Sequence, residues 1–320
     1  MTEREFTRPF GAFSQVLQRA SESERTRRLV TGTPAAREVA RRFIAAEDTG
    51  EAIDLIRDNH QKGMLATLEL LLPRAQDREQ ARAAAQAQME LLRAVGEAGV
   101  GRQADLTLKL STLGQGLGRD GRRFSTDLVD EVCRVAGNVG SQVCLDLEDH
   151  TTTDDTFATF EALHQDHPML GVTVQAQLRR SLADARWLAG RPARVRLCKG
   201  AYSEPRAVSH DDRVDISENY LACLNQLMAG RGYPMVATHD PDLVQAADDL
   251  AYVHNRRGGD YEIQMYHGVR PWEHRRLVDT GHTVRVHLPV GTDWYAYLAQ
   301  RLAERPANVM PLLRALVTRR

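Results

Sequence analysis

The chain has 320 residues, enough for one large domain or two ordinary ones. With 42% hydrophobic and 27% charged residues it has the composition of a soluble globular protein, which excludes disordered, collagen-like and coiled-coil readings. Lys+Arg 42 against Asp+Glu 43 leaves a net charge of −1, so there is no whole-molecule electrostatic argument for a nucleic-acid or anionic-membrane partner.

The first sixty or so residues are helix-like and highly charged, with Ala- and Arg-rich stretches such as Ala35–Ala46. They predict an N-terminal helical segment over residues 1–62. The polar start MTEREFTRPF is no signal peptide, and no apolar run reaches the roughly 18 residues of a membrane span. A cytoplasmic location with no integral membrane span is expected. From residue 63 onward a short apolar run, a turn and a longer amphipathic stretch recur. The apolar runs are Ala66–Leu71, Leu106–Leu110, Gln142–Leu147, Gly171–Ala176, Ala193–Cys198, Pro234–Thr238, Tyr261–Tyr266 and Thr283–Leu288. Helical material fills the gaps, for example Thr126–Ala136 and Ser217–Met228. No capping box marks the second of these, because Tyr220 stands three residues after Ser217. Strands alternating with helices mean a parallel sheet covered by helices. With no Pro/Gly/Ser linker to divide them, the eight runs predict one α/β domain over residues 63–320, a (β/α)8 barrel of the TIM type behind N-terminal helices.

In such a barrel the chemistry collects at the carboxyl ends of the strands. The polar residues that end the runs are Lys109, Asp146, Glu148, Gln175, Gln177, Arg196, Lys199, Thr238, His239, Gln264, His267 and His287. Any one of them can be a capped strand end. So many consecutive strands ending in groups that can bond a ligand is more than solubility requires. Gly116-Leu117-Gly118-Arg119-Asp120-Gly121 is a literal GxGxxG, and Asp146 ends the next strand, as in a dinucleotide fingerprint. Yet Ser111 to Gln115 separate it from its strand, and Arg119, Asp120, Arg122 and Arg123 crowd the part that would pack on the sheet. A flexible loop over the barrel mouth is the better reading, and an NAD(P)-binding Rossmann fold the weaker one. No metal site is expected, because His150, His164 and His167 lack HExxH or any fixed ligand spacing. Cys133, Cys144, Cys198 and Cys223 form no CxxC pair and read as reduced thiols.

Two segments are far more specific. One is Arg194-Val195-Arg196-Leu197-Cys198-Lys199-Gly200-Ala201-Tyr202-Ser203-Glu204-Pro205, a strand ending in cations and a small-residue turn. The other is VRVHLPVGTDWYAYLAQRLAERPAN, from Val284 to Asn308. Together with Val236-Ala237-Thr238-His239-Asp240, Tyr261-Glu262-Ile263-Gln264, Lys109-Leu110-Ser111, Asp146-Leu147-Glu148 and Val174-Gln175-Ala176, they resemble the proline dehydrogenase family of flavoenzymes. The resemblance runs from about Gly63 to the C-terminus and follows all eight strands in order.

The resemblance implies a distorted (β/α)8 barrel that holds FAD and removes a hydride equivalent from the carbon beside the ring nitrogen of proline. It places Arg196 beside the flavin atom that receives the hydride, where a cation is a stabilising electrostatic partner. Gln175 and Gln264 would bond the isoalloxazine edge, and Cys198, Gly200 and Ala201 would approach it through backbone atoms. Thr238, His239, Glu304 and Arg213 would hold the ribityl, pyrophosphate and adenosine parts. Lys109, Asp146 and Tyr202 would line the inner substrate wall, with a Lys109–Asp146 ion pair as the structural alternative. Arg301, Gln300, His287 and Tyr266 complete the implied substrate pocket. The implied partners are a small amino-acid substrate and a quinone or oxygen as electron acceptor. A quinone would make the protein peripheral to a membrane.

Four positions depart from the family pattern. Gln300-Arg301 stands where two arginines usually clamp the substrate carboxylate. His287 replaces a tyrosine that varies in the family where 4-hydroxyproline is preferred, and Tyr266 replaces a leucine. Glu69-Leu70-Leu71-Leu72-Pro73 replaces Asp-Leu-Leu-Gly-Glu, so the glutamate that pairs with the first arginine is Pro73 here. Losing that glutamate and that arginine together strands neither charge, whereas losing one alone would cost several kcal/mol. The sequence thus predicts flavin-dependent oxidation of a C–N (or N–N) bond in a small secondary-amine or N-substituted amino acid, through a repurposed pocket. The alternatives are an ordinary L-proline or 4-hydroxyproline dehydrogenase and a non-catalytic flavin-binding homologue.

Overall fold

The protein is described here from a computed structural model, which covers residues 44–293. The expectations for residues 1–43, and for Gln300, Arg301 and Glu304, lie outside the described residues. Eight parallel strands close into a barrel in sequential order. They are β1 (Met64–Leu70), β2 (Ala104–Leu108), β3 (Gln142–Leu145), β4 (Leu170–Gln175), β5 (Arg194–Cys198), β6 (Tyr233–Ala237), β7 (Glu262–Tyr266) and β8 (Val284–Val290). Each falls within a few residues of its predicted run. The helices between them are α2 (Arg78–Glu97), α3 (Gly121–Asn138), α4 (Thr153–Leu163), α5 (Ser181–Ala189), α6 (Arg213–Ala229), α7 (Pro241–Val253) and α8 (Pro271–Asp279), with α1 (Thr49–Gln61) ahead of β1.

Parity along the strands decides what faces where, because successive side chains point to opposite faces. Leu68, Leu106, Leu108, Leu145, Val172, Val174, Leu197, Val236, Ile263, Val286 and Leu288 point outward. They form one apolar core with helix residues such as Leu92, Val129, Phe160, Leu188, Leu224, Ala247 and Leu277. The alternate residues fill the barrel, and most of them are polar. Thr67, Glu69, Asp105, Thr107, Thr173, Gln175, Arg194, Arg196, Glu262, Gln264, Arg285 and His287 are all buried. A barrel so charged inside is closed by pairing, not by apolar packing.

Aspartates start four of the helices. The Asp48, Asp77, Asp212 and Asp240 carboxylates accept from the backbone N–H of Glu51, Gln80, Val214 and Asp242. This satisfies donors that the first helical turn leaves open. The Asp212 cap moves the start of α6 to Arg213, four residues ahead of the expected Ser217. Before α1, the backbone N–H of Ala45 donates to Pro289 and that of Gly291 to Ala46, which fastens this segment to the end of β8.

Candidate active site

At the carboxyl ends of the strands, three sets of inward side chains meet. The first surrounds Glu69. Its side chain is only 4% exposed and bridges two partners, the Lys109 ammonium after β2 and His287 on β8. His287 Nε2 donates to Glu69 Oε2 at 2.6 Å, because a carboxylate only accepts. Burial works against the Lys109 charge, yet the carboxylates of Glu69 and then Asp146 hold the ammonium above its ordinary range. The expected Lys109–Asp146 ion pair is therefore not the one formed. Glu69 and Asp146 flank Lys109 on the two neighbouring strands, and Asp146 is taken by Arg196 at 3.2 Å and by the Thr173 hydroxyl at 3.2 Å.

The second set centres on Arg196, which is 5% exposed. Its Nε donates to Gln264 Oε1 at 2.8 Å, and its Nη1 to Thr107 Oγ1 at 2.5 Å and to Asp146. Its Nη2 is buried without a hydrogen-bond partner among the described residues. An orphaned buried donor of this kind is costly unless a ligand accepts from it. Burial opposes the Arg196 charge, but the Asp146 and Asp105 carboxylates keep the guanidinium firmly protonated. Beneath it, Arg285 forks onto Glu262 at 2.8 and 3.1 Å, and Arg194 and Arg285 lie 3.6 and 3.5 Å from Asp105.

The third set fixes the loops after β3, β4 and β5. Gln175 Nε2 donates to the carbonyls of Leu147 at 2.5 Å and Glu148 at 2.9 Å, so its oxygen is the end left for other donors. Gln177 Nε2 reaches that oxygen at 3.2 Å and the Tyr202 carbonyl at 3.2 Å. Gly200 lies over Gln177 with φ +108°, and a Cβ there would come within 2.4 Å of the Gln177 side chain. Only glycine suits both conditions. Glu204 holds His150 through its backbone N–H and its ring, tying the β5 loop to the β3 loop.

Thr238 is buried at the end of β6, and its hydroxyl accepts from the Asp240 N–H at 3.1 Å. His239 Nε2 accepts from the backbone N–H of Tyr266 at 2.8 Å, which leaves its ring proton on Nδ1. The Tyr266 ring stacks on His239 at 5.5 Å and meets His287 edge-on at 4.9 Å. Tyr202, Cys198, Gly200 and Ala201 are half-buried on the β5 loop, and Arg213 is exposed at the first residue of α6. Lys199 is held by Asp240 at 2.9 Å and by Ser217 at 3.1 Å.

The Gly116–Gly121 segment is a mostly exposed turn that leads into α3. Ser111 to Gln115 ahead of it are buried, and Glu148 anchors them by accepting from the Ser111 N–H at 2.9 Å and hydroxyl at 2.6 Å. Glu148 is thereby a structural anchor for this turn. The three histidines considered above go separate ways: His150 to Glu204, His167 to Asp130, and His164 stacked on Phe160. Glu69 as a bridge, and Thr107 and Glu262 as supports of the Arg196 set, were not among the expected site residues. Their signal is position, since each lies two residues before a polar strand end or on a strand end itself.

Comparison with known proteins places this geometry. The sequence profile of the Proline dehydrogenase family matches residues 52–312. Proline dehydrogenase of Deinococcus radiodurans is 32% identical over 272 residues, covering 84% of this chain and 87% of that protein. Proline dehydrogenase 1 of Bacillus subtilis strain 168 is 29% identical over 278 residues, covering 87% and 90%. Proline utilization A of Bdellovibrio bacteriovorus, solved after inactivation by N-propargylglycine, superposes with a TM-score of 0.79 at 22% identity. A mutant of proline utilization A from Bradyrhizobium japonicum gives 0.72 at 21%. The present chain spans about a third of each of these two longer proteins (34% and 32%), and at that identity they establish the barrel alone.

Proposed function

The chain belongs to the proline dehydrogenase family, flavin-dependent oxidoreductases acting on CH–NH donors, and from that premise we propose that it oxidises proline or a close proline-type amino acid with FAD as cofactor. The observation that carries the reading is Arg196 Nη2, a buried cationic donor without a partner on the inner wall of the barrel. The other donors and acceptors fit the same group. Gln175 and Gln264 each retain bonding capacity, and the backbone of Cys198, Gly200 and Ala201 is assigned to the flavin from the family resemblance. Thr238, His239, Arg213 and Glu304 are assigned to the ribityl, pyrophosphate and adenosine parts, with His239 acting through its Nδ1 proton.

Bound FAD would supply the acceptor for a hydride from the carbon beside the substrate nitrogen. The chain's own residues do the rest. Arg196 offers a fixed positive charge where the cofactor gains electrons. Lys109, kept protonated by Glu69, serves as a cation toward the substrate carboxylate and not as a base. Asp146 orients Arg196, and Tyr202 closes the wall beside Lys109. Arg301 and Gln300 are assigned to the carboxylate, with one charge-assisted bond fewer than a pair of arginines would give. His287 and Tyr266 form the wall opposite. The electron acceptor is a quinone or oxygen. No helix among the described residues is long and apolar enough to cross a membrane.

The comparisons back an ordinary proline-type substrate better than the repurposed pocket. One observation keeps the second reading in view: the His287–Glu69 contact puts a polar pair on the substrate wall. Anaerobic flavin bleaching decides between them. The purified protein, loaded with FAD, should be bleached by L-proline faster than by 4-hydroxyproline or N-substituted glycines. Faster bleaching by one of the latter would restore the repurposed pocket, and a protein that takes up no FAD would overturn the reading altogether.

A further inference from the structure

We infer that Glu262, one layer beneath the site, is a positioning residue that fixes Arg196 for its role toward the flavin by dictating which way the Gln264 amide points. The inference rests on the flavin reading above. Glu262 is 1% exposed, the first residue of β7, and contacts no part of the substrate pocket described above. Its Oε1 accepts from Arg285 Nε at 2.8 Å and from Gln264 Nε2 at 2.6 Å. Its Oε2 accepts from Arg285 Nη2 at 3.1 Å and from the Tyr233 hydroxyl at 3.3 Å.

A carboxylate can only accept, so the Gln264 end that faces it must be the NH2. That leaves the Gln264 oxygen for Arg196 Nε, at 2.8 Å. The reversed amide would set carbonyl against carboxylate at one end and NH2 against guanidinium at the other. With Nε held by Gln264 and Nη1 held by Thr107 and Asp146, two of the three guanidinium nitrogens are fixed. The plane of the group follows, and Nη2 is the donor left over. Glu262 stays ionised in spite of burial, because Arg285 and then Arg194 draw its carboxyl below the usual range. Arg194 faces it from β5 and Arg285 from β8, while its other neighbours, Tyr233 on β6 and Gln264 on β7, are neutral donors, so its acceptor-only character is secured on several sides.

A positioning role and a plain electrostatic role predict opposite signs. Reduction adds negative charge to a flavin, so deleting a nearby carboxylate favours reduction through space and raises the potential. If Glu262 acts through Gln264 and Arg196, the same deletion frees the amide to turn, loosens Arg196 and lowers the potential. The experiment is spectroelectrochemical titration of the FAD-loaded full chain and of Glu262→Gln, each with Arg196 intact and as Arg196→Met. We expect Glu262→Gln to disfavour reduction at least tenfold with Arg196 present, about 30 mV downward for a two-electron couple. The shift should vanish or reverse in the Arg196→Met background. A potential that rises or stays put with Arg196 present overturns the inference. Should Glu262→Gln fail to fold, Glu262→Asp carries the test, since it keeps a carboxylate for both arginines and draws the acceptor back from the Gln264 amide. A lowered potential supports the inference, and an unchanged one overturns it. A wild-type chain that takes up no flavin overturns this inference together with the reading it rests on.

Discussion

Glu69 is where a single substitution should be most revealing. Its carboxylate is nearly inaccessible and serves Lys109 with one oxygen and His287 with the other. Glu69→Gln keeps the volume and removes the charge. Breaking a buried ion pair from one side costs about 3–5 kcal/mol, because the remaining charge stays uncompensated. The Lys109 side chain is 24% exposed and recovers part of its hydration, so the lower end, about 3 kcal/mol, is expected. Lys109→Met should cost less, about 1–2 kcal/mol, because the stranded carboxylate keeps its bond from His287. The double variant should lose less than the sum, since both singles break the same pair. Urea unfolding followed by tryptophan fluorescence, with saturating FAD in every sample, measures all three. The reasoning fails if Glu69→Gln lies within 1 kcal/mol of wild type, or if Lys109→Met is the costlier change.

Gly200→Ala places a side chain on a left-handed backbone and into Gln177, which supports both Gln175 and the Tyr202 carbonyl. FAD binding should weaken by about tenfold, the equivalent of 1.4 kcal/mol, and an unchanged affinity by isothermal titration would remove this loop from the cofactor site. Burial lowers the basicity of His267 and His274 in the fold, so the unfolded chain takes up protons first as pH falls through the ordinary histidine value of 6.5. Melting temperature should therefore decline below that pH, and His274→Gln should flatten the decline; an equally steep profile in the variant would show that other groups carry it. Burial pushes the thiols of Cys133, Cys144 and Cys223 up to about 12, about 11 and about 12. These three should resist iodoacetamide at pH 8 until the protein is unfolded, as mass spectrometry of the labelled peptides would show.

The barrel was legible in the sequence because helices cover the strands from outside, so each strand must show apolar residues at alternate positions. The residues between them were equally legible as interior, and their polar character already pointed to a site. What parity does not give is pairing across the interior. Lys109 has carboxylates on both neighbouring strands, and only the reach of Arg196 to Asp146 from across the barrel leaves Glu69 as its partner. The start of α6 was missed for a local reason. Its cap is an aspartate that bonds the N–H two residues on, so no S/T-x-x-E pattern announces it. The anchor of the turn ahead of Gly116 was hidden for a similar reason, since Glu148, which fixes it at Ser111, lies 37 residues away.

Charge accounting inside the barrel connects fold to function. Apart from Lys199–Asp240, the lysines and arginines ion-paired on the described strands and strand ends are Lys109, Arg194, Arg196 and Arg285 against Glu69, Asp105, Asp146 and Glu262, four cations against four carboxylates. Such a set is neutral, and removing any one member leaves a buried net charge. It is therefore a scaffold that resists single substitutions while it holds side chains such as Arg196 in fixed orientations. A substrate carboxylate entering above it is an additional anion, which the neutral set does not compensate. Lys109, the cation proposed to face that carboxylate, is already balanced by Glu69, so further positive charge has to come from cations outside the eight counted here. On the proposed assignment of Arg301 to the substrate carboxylate, Arg301→Met should therefore weaken binding of an amino-acid substrate more than the same change at Gln300, as equilibrium titration would show.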